Sequence, residues 1–298
     1  MCVSKKNSDE KIIKGESIMK NKTLRLCLAG LLVAASFMLI AAGGKKTITV
    51  KGSDTMVILA QRWAEEYMAK HPDIVVQVTG GGSGVGLSAL INGTTDIANS
   101  SRPIKNSEVD KLKQRFNALS YETKAAKDGV TLYFNESNPV SELSIDQIKA
   151  IYLGEITNWK DVGGEDAKII LYGRENSSGT YVFFRDNVLG GKDYSPLMQS
   201  LPGTAAVVNA VSKDKLSIGY GGAAYAKGVK MVKVKKDAES PGYEPTAETI
   251  KTNSYPVTRY LFMYTRAKPE GAVKNFIDWT LSDEGQAIVT KVGYFPVK

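Results

Sequence analysis

Short β-branched runs alternate with glycine or hydroxyl turns and then with helix-period segments, and this alternation constrains the fold more than any other feature of the chain. Thr47-Ile48-Thr49-Val50-Lys51 reads as a strand, Gly52-Ser53-Asp54-Thr55 as a turn and Met56–Lys70 as a helix. The unit repeats as strand Ile74–Thr79, turn Gly80–Gly84 and helix Val85–Asn92. Asp96–Asn99 is a third, short strand, and Ser107-Glu108-Val109-Asp110 opens another helix with a capping-box-like pattern. Alternating units of this length imply a mainly parallel sheet covered by helices on both faces.

A second series begins at the strand Gly129–Phe134, followed by a helix capped by Ser144 with Gln147 at the box position. Ile169–Tyr172 and Ser217–Tyr220 read as strands; 178–188 and Thr204–Lys213 read as helices. The basic run Lys227–Lys236 alternates with valines and reads as an exposed strand edge, and Lys236–Thr252, rich in Pro, Glu, Gly and Thr, as a long surface loop. After it come a strand at Val257–Thr265 and helices at Gly271–Leu281 and Asp283–Val292, which return most economically to the first domain. At 298 residues the chain is long enough for two domains, each with its own core. The expected division is residues 44–123 with 256–298 as one lobe and 124–255 as the other.

Residues 1–43 read as a leader. Lys20, Lys22 and Arg25 precede an apolar run from Leu26 to Ala42 that closes on Ala41-Ala42-Gly43, the pattern of a cleavable secretory signal, with Met19 an alternative start. The run is also long enough to anchor the chain, but its small-residue exit favours cleavage and a periplasmic product. Both cysteines, Cys2 and Cys27, fall in this segment, so the remainder has no thiol for a disulfide, a metal or nucleophilic catalysis. Residues 1–43 also hold seven of the 39 basic and three of the 31 acidic side chains, which leaves 32 against 28 and a net charge of +4 beyond them. So small and diffuse an excess suits a small anion and gives no basis for nucleic-acid binding.

Four turns point to such an anion: Gly52–Thr55, Gly80–Gly84, Ser100-Ser101-Arg102-Pro103 and Arg174-Glu175-Asn176-Ser177-Ser178-Gly179-Thr180. A helix start offers unpaired N–H groups and a positive dipole end, so hydroxyls and glycines there suit a tetrahedral oxyanion. Gly80–Gly84 lacks the Gly-Lys-Ser/Thr ending of a nucleotide loop and does not fit G-x-G-x-x-G, so a nucleotide is not indicated, and the glycines alone are equally explained as a turn. Arg174 is more specific, since its fork can hold an oxyanion whose other oxygens meet the helix that starts at Ser178. Asp54 has two readings of equal standing. A carboxylate can accept the proton of monohydrogen phosphate and repel sulfate, or it can simply cap the helix after it. Trp63, Trp159 and Trp279 lie in apolar patterns and read as core, and the single His71 reads as a surface turn. With one histidine and no cysteine beyond the leader, no Ser-His-Asp or Cys-His centre can be assembled, and no metal spacing occurs. No catalytic residue, cofactor or metal is therefore expected.

Gly52-Ser53-Asp54-Thr55-Met56, Gly81-Gly82-Ser83-Gly84-Val85-Gly86, Asp96-Ile97-Ala98-Asn99-Ser100-Ser101-Arg102-Pro103, residues 151–159 and the Arg174–Thr180 segment follow one another in an order that resembles periplasmic phosphate-binding proteins of ABC transporters. Tyr255-Pro256-Val257-Thr258-Arg259 resembles the segment that re-enters the first lobe. The resemblance covers nearly all of the chain past the leader. It implies an α/β, two-lobe type II periplasmic binding fold with a ligand cleft between lobes, an inorganic phosphate ligand and a membrane permease as partner, the protein itself being a monomer. It carries ligand roles onto Thr55, Ser83, Arg174, Ser178, Gly179 and Thr180, with Ser53, Asp54, Ser101 and Arg102 as further candidates from their turns. One departure matters: long-form members have a Ser-Asp pair where this chain has Ser100-Ser101-Arg102. The proton-accepting carboxylate is thus not carried over, and Asp54 is the substitute candidate. Binding of another tetrahedral oxyanion such as sulfate or molybdate is the alternative; a structural relative or a secreted hydrolase is a remoter one.

Overall fold

The computed structural model describes residues 45–297, and the leader read from residues 1–43 lies outside them. β1 (Lys46–Gly52) alternates so that Ile48 and Val50 are buried. One turn of 3-10 helix at Asp54–Met56 leads into α1 (Val57–Lys70), and β2 (Ile74–Thr79) pairs parallel with β1. α2 (Ser83–Asn92) starts two residues before the expected Val85, because Gly81 and Gly82, at φ +109° and +95°, complete the turn first. β3 (Ile97–Ser100) pairs parallel along the other side of β1, and α3 (Asn106–Phe116) opens with Glu108 accepting the Lys105 amide at 2.8 Å.

β4 (Tyr121–Phe134) begins eight residues before the expected Gly129. Then come β5 (Glu142–Ser144) and α4 (Ile145–Leu153), whose capping box has Gln147 N–H donating to Ser144 Oγ at 3.2 Å and Ser144 N–H donating to Gln147 Oε1 at 2.9 Å. β6 (Ile170–Arg174), α5 (Gly179–Asn187), β7 (Gln199–Leu201), α6 (Thr204–Lys213) and β8 (Ser217–Gly222) continue the alternation. β9 (Lys230–Met231), β10 (Lys233–Lys235), β11 (Gly242–Tyr243) and α7 (Ala247–Lys251) precede β12 (Thr258–Thr265), α8 (Gly271–Thr280) and α9 (Asp283–Val292).

Nine strands form one sheet in the order β2-β1-β3-β12-β4-β8-β6-β7, with β9 also on β4. The outer pairs β1–β2, β1–β3, β6–β7 and β6–β8 are parallel, as the alternation predicts. The middle is antiparallel, because β12 returns from the far half and β4 leaves toward it. β4 serves both halves: Tyr121–Gly129 pairs with β12, and Val130–Phe134 pairs with β8. Successive side chains enter opposite faces, so Leu261 and Met263 join Ile48, Trp63 and Val289 in one core while Phe262 and Tyr264 join Leu87 and Leu112 in another. In the far half Leu132 and Phe134 pack with Trp159 and Tyr220, and Tyr133 with Val207 and Val211. The sheet is thus helix-covered on both faces in each half, a mixed α/β two-lobe fold.

Two surface expectations need correction. The segment 236–252 is not a bare loop, since it contains β11 and α7 and buries Ile250 at 1% exposure. The lysine–valine run is not a free edge either: β10 is the middle strand of a small sheet β11-β10-β5, with Val232 and Val234 in the far core. Alternation shows which face is buried; it carries no information about neighbours along the sheet. Trp63 and Trp159 are buried as expected, and Trp279 is half-buried against the first core.

Candidate functional site

Parallel β1, β2 and β3 bring the turns at their carboxyl ends to one side of the sheet. The Ser53 amide donates to the Asn99 carbonyl at 2.9 Å and the Gly82 amide to the Gly52 carbonyl at 3.0 Å, tying the three turns together. Ser53, Thr55, Ser83 and Ser101 are buried there. Ser83 Oγ accepts the Ser101 amide at 3.0 Å and lies 3.3 Å from Ser101 Oγ.

The other wall is the end of β6 and the start of α5. Ser178 is the N-cap of α5, its Oγ accepting the amides of Thr180 at 3.1 Å and Tyr181 at 3.3 Å. The cap consumes those two amides. It leaves the Gly179 amide, which has no intrahelical acceptor, and the Ser178 hydroxyl proton to serve an anion.

The two walls meet. Thr55 Oγ1 lies 2.9 Å from Thr180 Oγ1, and the Gly84 amide donates to the Ser177 carbonyl at 2.9 Å. Gly179 faces Ser83 and Ser101 so closely that a methyl group there would run into both hydroxyls. Arg174, 2% exposed, donates from Nη2 to Asp54 Oδ2 at 2.6 Å and from Nη1 to Thr204 Oγ1 at 2.7 Å. Arg174 Nε and Ser53 Oγ are buried without a partner.

Asp54 does not cap the helix that follows it. Its Oδ1 instead accepts the Gly81 amide at 2.7 Å, and with Oδ2 on Arg174 it joins the glycine turn of one wall to the arginine of the other. Arg102 is the candidate whose side chain is committed elsewhere: both its terminal nitrogens bind Glu108, at 2.9 and 2.7 Å, and Nη1 also donates to the Pro103 carbonyl. Burial works to raise the Glu108 carboxyl, but the hydrogen bonds from Arg102 and the Lys105 amide outweigh it and hold Glu108 below the usual carboxylate range. The arginines buried among the described residues, Arg102, Arg174 and Arg259, are each matched by one carboxylate. The two walls thus present hydroxyl and amide donors, with the buried Arg174 between them already paired with Asp54.

Sequence reasoning missed several contributors. Thr204, which holds Arg174 Nη1, follows Gly203 at a helix start just as Thr180 follows Gly179, and that repeat of Gly-Thr was the available signal. Tyr225 donates its hydroxyl to the Asp54 carbonyl at 2.6 Å, and burial pushes its phenol up to about 12. Tyr220 accepts the Arg174 amide at 3.4 Å and donates to Tyr194 at 3.0 Å, and burial raises its phenol too. In the sequence Tyr220 reads only as the end of the strand Ser217–Tyr220, and Tyr225 falls in no element. Among the described residues no cluster of His, Cys, Asp or Glu could hold a metal ion, and no helix is long and apolar enough to cross a membrane.

Known proteins share this fold and much of this sequence. The model of the PBP superfamily domain matches residues 40–284. The phosphate-binding protein PstS of Pseudomonas aeruginosa is 30% identical over 274 residues, 86% of this chain and 85% of that protein. PstS of Staphylococcus haemolyticus is 36% identical over 248 residues, 80% of this chain and 77% of that one. An ABC transporter substrate-binding protein from Clostridium perfringens, solved with phosphate bound, aligns with a TM-score of 0.77 at 31% identity over 85% of this chain and 100% of its own. An ABC-type phosphate transport receptor from Vibrio cholerae aligns at 0.67 and 29% identity, over 83% and 99% respectively. Matches of this identity and coverage show that the chain belongs to the PBP superfamily and, within it, to the PstS family of phosphate-binding proteins.

Proposed function

We propose that this chain captures inorganic phosphate outside the cytoplasm and delivers it to an ABC importer in the membrane. The observation that supports the reading best is that segments far apart in the chain meet, Thr55 with Thr180 and Ser83 and Ser101 with Gly179 beside the Ser178 cap, while Arg174 of one wall binds Asp54 of the other. Phosphate has four oxygens, so hydroxyls and amides arriving from two walls can replace its lost water on every side. Arg174 adds a charge-assisted contact. In this reading residues 44–123 with 256–298 and residues 124–255 are the two lobes, residues 1–43 direct export, and Ser53 and Asp54 complete the first turn. Arg102 acts indirectly, by bracing the turn that carries Ser101. The protein works as a monomer, performs no catalysis and binds no nucleic acid.

Phosphate is expected to raise the melting temperature. A ligand that binds only the folded form adds RT ln(1 + [L]/Kd), roughly 4 kcal/mol at a thousandfold excess over Kd. Thermal melts with phosphate, sulfate, arsenate and molybdate check this. An unmoved melting temperature in millimolar phosphate overturns the reading, and a larger shift with sulfate or molybdate moves it to that oxyanion. Release of phosphate from a phosphate ester would instead support a hydrolase.

A further inference from the structure

Arg259 lies in the segment 255–259 that marks the chain's return, and the proposed function gives it no task. Its guanidinium nevertheless joins three segments. Nε and Nη2 donate to Asp128 Oδ2 at 3.0 and 2.7 Å, Nη1 donates to the Ser101 carbonyl at 3.1 Å, and the group lies over the Phe183 ring, 5.3 Å from its centre. The Arg259 side chain is 2% exposed and that of Asp128 is wholly buried.

Each segment bears on the cleft. Ser101 stands beside Ser83 on one wall, and Phe183 sits on α5, one turn beyond Thr180 on the other. Asp128 lies on β4 just before that strand changes its partner from β12 to β8. The pair is also a poor way to gain stability. Asp128 Oδ1 is buried without a hydrogen bond, and a buried ion pair gains little over apolar side chains in the same space.

Resting on the phosphate reading above, we propose that Arg259 is a positioning residue for anion capture. It holds the Ser101 carbonyl so that the Ser101 amide and hydroxyl stay on Ser83, and through Phe183 and Asp128 it couples that turn to α5 and to the strand crossing. It touches no ligand itself. A purely structural arginine would lower the melting temperature when replaced and leave the affinity of the folded protein alone.

The test uses the full chain and three variants: Arg259→Lys, Phe183→Leu, and Arg259→Met combined with Asp128→Asn. Lysine keeps the charge opposite Asp128, but its single nitrogen cannot serve Asp128 and Ser101 in the fork geometry of arginine. The double variant removes both charges together, so no lone buried charge is left to unfold it. Phosphate Kd is measured by calorimetry on each variant that melts cooperatively. The expected result is a Kd raised at least about tenfold in the double variant, the equivalent of one or two lost hydrogen bonds, with a smaller rise in the two single variants. Folded variants that all bind phosphate within about twofold of the unaltered protein overturn the proposal. If the double variant does not fold, Arg259→Lys and Phe183→Leu decide by the same criterion. Failure of the unaltered protein to bind phosphate is a separate result that sinks the functional reading, and the variants are then compared with the oxyanion that stabilises the protein.

Discussion

A guanidinium has five N–H donors and no means of shedding its charge, so at 2% exposure each donor left without an acceptor is costly. Arg174 spends one terminal nitrogen on Asp54 and the other on Thr204, and its Nε is left for something else. Arg102 also leaves its Nε without a partner, but both its terminal nitrogens close on Glu108, six residues away on its own wall, whereas Arg174 reaches across to Asp54. Arg174→Ala is therefore expected to weaken phosphate binding by about 2–5 kcal/mol, the range for truncating a buried charged contact, and Arg102→Ala by far less. Titration calorimetry on both variants checks the order, and equal small losses would place the anion elsewhere. Asp54 poses a different question. Each of its oxygens accepts one hydrogen bond and retains a second acceptor direction, which the proton of monohydrogen phosphate can use and sulfate cannot. Asparagine keeps one accepting oxygen and adds a donor, so Asp54→Asn is expected to lower phosphate affinity and to narrow its ratio to sulfate affinity at one pH. A ratio that stays fixed would reduce Asp54 to a tie between Arg174 and Gly81.

Elements were legible wherever their signal is local. Strand β2 and helix α6 fall where the apolar period put them, and the Ser144–Gln147 box sits on α4 because capping needs only residues three apart. The four turns were legible for the same reason, since glycine and hydroxyl residues declare the backbone they allow. What could not be read was pairing across distance. The first half of β4 carries Lys124, Lys127 and Asp128 and shows no apolar run. It is a strand because β12, more than a hundred residues later, lies against it and supplies Arg259 to meet Asp128. The same limit hid Thr204 from Arg174 and gave Asp54 two readings, neither of which included the Gly81 amide or Arg174. A single sequence shows what a side chain can do, and tertiary neighbours decide which of those things it does.

At the scale of the molecule the two halves share the strand β4 and meet again at the cleft walls, through Thr55 and Thr180, Gly84 and Ser177, Asp54 with Arg174 and Tyr225, and Arg259 with Phe183. Were capture to work by closure, it would depend on how near the walls can come, and Gly179 is one of the closest approaches, with Gly82 against Ser177, because a methyl group at Gly179 would strike Ser83 and Ser101. The position is the first residue of α5 and has no positive φ, so alanine suits its backbone. Gly179→Ala should accordingly act as a wedge. The cores of both halves are untouched, and the melting temperature without phosphate is expected to stay level or rise slightly. Phosphate affinity should fall at least about tenfold, since the anion loses the donors of one wall when the gap widens. Small-angle scattering gives the global readout: a contraction of the radius of gyration on adding phosphate to the unaltered protein, absent from the variant. A variant that contracts and binds as well as its parent would show that these two walls do not close on the anion.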